Sequence, residues 1–307
     1  MHVMPNIIAA GFSASSRDGE IDSLADDLAR LVSIGADVAE LGLSGLDLIA
    51  GGRIIGDRLR RLAAMTARLP LRYSVHGLVS SNFMDPETLP LQLAAAKALV
   101  EVCDRIDARV LVQHGGELRP DQTSARAGAD ARQREALLDL AEFARRYGVR
   151  IALENIFTTE EGQYRQTPAE LAATVREIDH PNLMALIDFS HAYIEATYRG
   201  LDVKAELAAM ASVTGHLHVH DSFGRPIGRF KPFYPQEATA LGLGDLHMPL
   251  GWGDIDWESL FGEIDVLPDT FLIMEIEARY RSEQPESLAI ARRLIDINAG
   301  RAVKAAE

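Results

Sequence analysis

Six short apolar runs in this chain end in a side chain that binds divalent transition metals. They read Tyr73-Ser74-Val75-His76, Val110-Leu111-Val112-Gln113-His114, Ile151-Ala152-Leu153-Glu154, Ala185-Leu186-Ile187-Asp188, His216-Leu217-His218 and Leu272-Ile273-Met274-Glu275. Imidazoles and carboxylates are ligands for such ions at neutral pH. A strand ending in a ligand, repeated six times, restricts the fold, because the ends of six strands must meet at one place. His191, Asp245 and His247 complete a candidate set of nine metal ligands: His76, His114, Glu154, Asp188, His191, His218, Asp245, His247 and Glu275. Gathered together, these groups would repel one another and lose hydration at high cost unless cations lay between them.

Strand-like and helix-like patterns alternate along the whole chain. Strands are expected at 5–10, 37–43, 71–76, 109–114, 149–154, 183–188, 215–220 and 270–275. Helices are expected at about 20–34, 56–68, 87–106, 130–147, 168–178, 200–212, 256–264 and 284–298. In the first helix Ile21, Leu24, Leu28, Leu31 and Val32 fall on one face. Asp85-Pro86 and Thr167-Pro168 mark helix starts, and Gly35 and Gly148 mark stops. Eight strand–helix units in series predict a single α/β domain spanning 1–307, a (β/α)8 barrel with all nine ligands at the C-terminal strand ends. A doubly wound open sheet usually builds its site at one switch point and does not gather six strand ends. The longest irregular stretch, about 221–255, follows the seventh strand; a loop of that length in a compact domain is usually functional.

The net charge of −14 would repel a phosphate backbone and argues against duplex DNA as a partner. Cys103 is the one cysteine, so no internal disulfide forms, which points to a reducing cytoplasm. It reads as a buried helical residue and not as a nucleophile. The segment Met1 to Ala10 lacks a basic region and a long enough apolar run for a secretory signal, and no stretch is long enough to span a membrane.

Spacing refines the metal centre. His76 and His114 end neighbouring strands and are placed to hold one ion. Asp188 and His191 are three residues apart, so both turn inward on a first helical turn. Asp245 and His247 share one face of an extended segment. Glu154 and Glu275 could each bridge two ions. His216 and His220 flank His218 at period two, and either could replace it. Asn155 and Asp221 read as groups that orient ligands. His180 and His2 receive no role.

These residues resemble the xylose isomerase-like TIM barrels, and within them the endonuclease IV branch (AP endonuclease family 2). The motifs are Val75-His76-Gly77, Gln113-His114-Gly115-Gly116, Leu153-Glu154-Asn155, Ile187-Asp188-Phe189-Ser190-His191, His218-Val219-His220-Asp221-Ser222, Asp245-Leu246-His247 and Ile273-Met274-Glu275. Single-metal isomerases and epimerases of this superfamily are similar in needing only the positions of Glu154, Asp188, His218 and Glu275. The positions of His76, His114, Asp245 and His247 mark the trinuclear endonuclease branch. The resemblance therefore implies two or three divalent ions, zinc first, with manganese or iron as alternatives.

The chain departs from the endonuclease pattern where DNA would be gripped. After His76 no aromatic residue occurs until Phe83, and Glu117 follows the second histidine where a phosphate surface would want a base. In the long loop Arg225, Arg229 and Lys231 are interleaved with Phe223, Phe230, Phe233 and Tyr234, as in a lid carrying cations over a small anionic substrate; Arg279 and Arg281 could join it. The candidate catalytic residues are Glu154, Glu275 and His191. The extra ligands favour hydrolysis of a small sugar, sugar phosphate or related anion by a metal-bound hydroxide. The alternative is a sugar or sugar-phosphate isomerase or epimerase with Glu154 and Glu275 as the acid/base pair. An AP endonuclease and a multi-iron, oxygen-using enzyme rank below these.

Overall fold

In the computed structural model, which describes residues 5–16 and 18–306, eight parallel strands close into a barrel. They are β1 (Ile7–Ser15), β2 (Val38–Gly42), β3 (Arg72–His76), β4 (Ala108–His114), β5 (Arg150–Glu154), β6 (Leu183–Asp188), β7 (Thr214–Val219) and β8 (Thr270–Met274). Each strand pairs with its successor and β8 pairs with β1, so the sheet has no open edge. The expected (β/α)8 barrel is the observed fold.

Alternate residues on each strand face the barrel interior. Low in the barrel the interior holds Ala9, Val38, Phe271 and Ile273, and beside them Val110, Val112, Ala152, Met184 and Leu186. Toward the C-terminal ends the same rows continue as Glu40, His76, His114, Glu154, Asp188 and His218. The opposite rows, among them Leu111, Ile151, Leu153, Ile187 and Leu217, pack against helix residues such as Leu28, Leu140, Leu171 and Leu207. Each such side chain contributes about 1.5–3 kcal/mol by leaving water. The rows therefore separate two jobs: one face anchors the helices and the other carries the chemistry.

The surrounding helices are α1 (Ile21–Ser33), α2 (Gly56–Thr66), α3 (Leu89–Arg105), α4 (Arg126–Arg145), α5 (Pro168–Ile178), α6 (Phe189–Arg199), α7 (Val203–Ala211), α8 (Pro235–Leu241), α9 (Trp257–Glu263) and α10 (Gln284–Ala306). Thr167 caps α5 as read from Thr167-Pro168: its hydroxyl accepts the Glu170 amide, and the Glu170 carboxylate accepts the Thr167 amide at 3.0 Å. Gly35 and Gly148 end α1 and α4 with φ of +85° and +66°, angles a side chain would strain. No helix among the described residues is long and apolar enough to cross a membrane.

Four expectations are corrected. β1 runs to Ser15 instead of ending at 10, so its last turn reaches the barrel mouth. The helix expected from 87 starts at Leu89, because the Asp85 carboxylate accepts the Glu87 amide at 3.0 Å and the Thr88 amide at 3.3 Å, and holds a separate turn. The helix expected at 200–212 is α7 alone; α6 precedes it, and only its first turn, from Asp188 to His191, was expected. The stretch 221–255 contains α8, and its ends are tied together by the Asp221–Met248 bridge. His2 lies outside the described residues.

Candidate metal centre

The strand register brings the ligands together. His114 lies beside Glu154 across β4 and β5, and Asp188 lies beside His218 across β6 and β7. Glu275 follows β8 directly, and its amide continues the ladder to Val219 O at 3.1 Å. Asp188 is the N-cap of α6 and accepts the His191 amide at 2.8 Å, which turns both side chains inward. Asp245 and His247 enter from the long loop. His247 holds a left-handed backbone, φ +44°, which is uncommon without glycine. It is pinned by Glu277 N to His247 O at 3.0 Å and by its ring Nδ1 against Glu275 O at 2.7 Å. All nine candidate ligands thus reach the C-terminal mouth.

Glu154 is the hub. Its Oε2 is 3.6 Å from His76 Nε2 and 3.3 Å from His114 Nε2; its Oε1 is 3.3 Å from His191 Nδ1 and 3.5 Å from His218 Nδ1. His218 Nδ1 is also 3.6 Å from Glu275 Oε2. These separations exceed the usual range of about 2.7–3.2 Å for hydrogen bonds. They match the roughly 3.3 Å edge of a tetrahedron whose metal–ligand bonds are about 2.0–2.2 Å. Glu154 Oε2 and His218 Nδ1 are buried with no hydrogen-bond partner. Orphaned polar atoms of this kind cost roughly 1–3 kcal/mol each. Donors of the right type, at ligand spacing and otherwise unsatisfied, fit divalent cations.

The electrostatics agree. Burial opposes ionisation of Glu154, yet His114, His218 and His191 hold it well below the usual carboxylate range. Burial also opposes a charge on His76, but Glu154 and Glu275 raise it to about 9. Its neighbour His114 is pushed down to about 4, chiefly by burial; Glu154 opposes the shift and His76, His191 and Arg165 add to it. One carboxylate shared by two imidazoles supports a proton on only one of them.

The three imidazoles of β7 and its end separate. His218 faces Glu154 and Glu275. His216 sits lower, its Nε2 2.8 Å from Glu40 Oε2. His220 lies past the strand, its Nε2 3.1 Å from Asp188 Oδ2. Asn155 orients Asp188 from its backbone: its amide donates to Asp188 O and its carbonyl oxygen accepts Asp188 N, both at 2.9 Å. Asp221 accepts the Gly251 amide at 2.7 Å and so braces the loop base. His180 is remote from the centre, 3.3 Å from Glu142.

Glu40 was missed. It is fully buried, 2.8 Å from both His216 and His218, and accepts Ser74 Oγ at 2.8 Å. An acid alone inside Val38-Ala39-Glu40-Leu41 was the available signal. Ser13, Ser15, Phe157 and Arg165 were missed too; with the ligands they line a cavity of about 610 Å³. A larger cavity of about 900 Å³, lined by Ile8, Val110, Arg150 and Phe271, belongs to the opposite strand ends and contains none of the nine ligands.

The loop cations stand outside this cavity. Arg225 donates to Leu241 O at 3.3 Å and stacks on Phe223. Arg229 is almost fully exposed, 3.8 Å from Glu161, and Lys231 is exposed. Arg279 donates to Thr239 Oγ1 at 3.2 Å and pairs with Glu277 at 2.6 Å, and Arg281 pairs with Asp27.

A barrel whose metal-binding donors are gathered at one mouth defines a class, and the sequence places the chain within it. It belongs to the xylose isomerase-like TIM barrel family, whose model matches residues 28–296. The barrel is similar to that of a D-tagatose 3-epimerase-like protein (TM-score 0.73, 18% identity, covering 95% of this chain and 99% of that one). It is also similar to the TTHB071 protein from Thermus thermophilus, a structure soaked with ZnCl2 (0.65, 21%, 94% and 98%). A third similar structure is the 3-keto-D-glucoside 4-epimerase of E. coli (0.64, 16%, 93% and 99%). In sequence, 184 residues are 26% identical to the uncharacterized protein MJ1311 of Methanocaldococcus jannaschii, and the chain spans 58% of that protein's length.

Proposed function

We propose that this protein is a divalent-metal-dependent enzyme that epimerises or isomerises a small sugar or sugar derivative. One observation carries the reading: two carboxylates, Glu154 and Glu275, flank the same atom, His218 Nδ1, at 3.5 and 3.6 Å on the wall of a 610 Å³ cavity. That space suits a monosaccharide, and Ser13, Ser15, Ser16 and Ser44 on its wall supply hydroxyls for a polyol. One carboxylate takes the proton from the carbon beside the substrate carbonyl, and the other returns a proton to the opposite face. No atom is gained or lost. His76, His114, Glu154, Asp188, His218 and Glu275 would hold the divalent ions, zinc first, whose charge would stabilise the negative carbonyl oxygen. His191, 3.3 Å from Glu154 Oε1, orients that carboxylate. The epimerase names among the similar structures support this reading over the hydrolysis favoured by the ligand count alone.

Hydrolysis remains the second reading because of His76, His114, His191, Asp245 and His247, candidate ligands beyond those a single-metal epimerase needs. The net charge and the absence of an aromatic near His76 speak against duplex DNA in either case, and the buried Cys103 suits a reducing compartment such as the cytoplasm. The test is incubation of metal-loaded protein with a panel of ketoses in D2O, followed by proton NMR. Deuterium should enter at the carbon beside the carbonyl, and E154Q or E275Q should abolish the exchange. Release of nitrophenol from bis(p-nitrophenyl) phosphate, with no exchange in any ketose, would give the site to hydrolysis.

A further inference from the structure

We infer that His220 is itself a metal ligand and that, with Asp188, His191, Asp245 and His247, it forms a nitrogen-rich divalent-cation site beside the Glu154 cluster. His216, His218 and His220 are all fully buried at period-two spacing, yet each meets different partners. His216 is engaged by Glu40, and His218 faces Glu154 and Glu275. His220 Nε2 instead lies 3.1 Å from Asp188 Oδ2 and 3.6 Å from Asp245 Oδ1. Two further Nε2 atoms converge on the same Asp245, that of His191 at 3.2 Å and that of His247 at 2.8 Å.

The ring orientations are already those of ligands. His191 Nδ1 lies 3.1 Å from Asn155 O and His247 Nδ1 lies 2.7 Å from Glu275 O. A ring that donates through Nδ1 to a backbone carbonyl keeps the Nε2 lone pair for a metal. His220 stacks on His247 with ring centres 4.1 Å apart and planes 16° from parallel, which fixes its plane as well. Its own Nδ1 is buried without a hydrogen-bond partner, so the polar contacts of the ring are made by Nε2, the atom that faces Asp188 and Asp245. Ligand atoms of Asp188, His191 and His220 lie within 4.8 Å of one another, close enough for one ion to draw them together. Three imidazoles and two carboxylates suit zinc or iron better than magnesium or manganese, which prefer oxygen.

The proposal concerns occupancy and not reaction, so it stands or falls independently of the epimerase reading. The experiment strips the full-length protein of metal, reloads it with Zn²⁺ and counts ions per chain after gel filtration. H220A should lose one ion, or bind it at least about 10-fold more weakly, while H76A loses a different one and the double variant loses both. Added imidazole should restore the missing ion to H220A and, in Co²⁺-loaded protein, the visible absorption lost with it. A merely structural histidine gives no such rescue. H220N replaces H220A if the alanine variant fails to melt cooperatively. Wild-type zinc number and affinity in a folded His220 variant would overturn the assignment.

Discussion

At the scale of single residues the candidate metal centre sets protons in competition with cations. In metal-free protein burial disfavours charge on His76 and His247, but Glu154 and Asp245 raise them to about 9 and about 10. Both then carry a proton at pH 7, whereas a metal needs the neutral ring. Metal uptake at pH 7 should release protons, and apparent affinity should rise with pH through that window. Calorimetry in two buffers of different ionisation enthalpy counts them; zero release would contradict the arrangement. The sign for metal-free stability is the reverse: the contribution of these charged imidazoles is complete below about 6.5 and is lost as pH rises through 9 and 10. Glu40 supplies a second prediction. Its carboxylate, 2.8 Å from His218 Nε2, holds the ring with Nδ1 toward Glu154 and Glu275. E40Q should weaken metal binding about 10- to 100-fold, as expected for a group that orients a ligand, read by competition with a chromogenic chelator. Unchanged affinity would make Glu40 a packing residue. Cys103 is inert by contrast: burial pushes its thiol up, and a thiol reagent should label it only after unfolding.

Among the elements, the long loop carries the most consequence. It is tied at its base by Asp221 N to Met248 O at 2.9 Å, and in its middle by Gly244 N to Arg225 O at 2.7 Å. Arg229 and Lys231 lie on the free outer span. If that span folds over the cavity when substrate binds, R229A or K231A should lower kcat/KM by about 1.5–3 kcal/mol, the value of a charge-assisted hydrogen bond, with metal content unchanged. Steady-state kinetics beside metal analysis decides this; unaltered kinetics would leave the loop a solvated excursion. Elsewhere a plain capping argument applies. Thr167→Ala removes one half of the capping box of α5 and should cost about 1 kcal/mol, measured as a shift of the urea midpoint.

For the whole molecule, closure of the sheet and occupation of its mouth are linked. Six strands bring a candidate ligand each to the mouth, and orphaned atoms such as Glu154 Oε2 and His218 Nδ1 would weaken the barrel unless cations satisfied them. Excess Zn²⁺ should raise Tm, and a strong chelator should lower it, because a ligand bound only by the folded state stabilises it by mass action. Calorimetric scans with and without chelator test this; identical Tm values would mean that metal and fold are uncoupled.

The strand ends were legible because ligand chemistry differs sharply from apolar chemistry. A run such as Ile151-Ala152-Leu153-Glu154 announces both its element and its charge. The helical caps at Thr167 and Gly35 were legible for a similar reason, since each depends on local backbone geometry. Glu40 was not: a lone acid in a strand looks alike whether it faces solvent or the barrel axis, and only closure of the ring turns it toward His216 and His218. Of the α6 helix only the first turn was legible, from the three-residue spacing of Asp188 and His191; its continuation to Arg199 was not. Which of three equally spaced imidazoles faces which carboxylate was undecided in one dimension. Period two puts His216, His218 and His220 on one face, and their different heights along the barrel give each a different neighbour. The sequence by itself determined the barrel and the chemical type of its centre, through repetition along the chain. The pairing of donors across strands, and the position of the loop cations outside the cavity, were decided by tertiary structure, because both depend on distances between residues far apart in sequence.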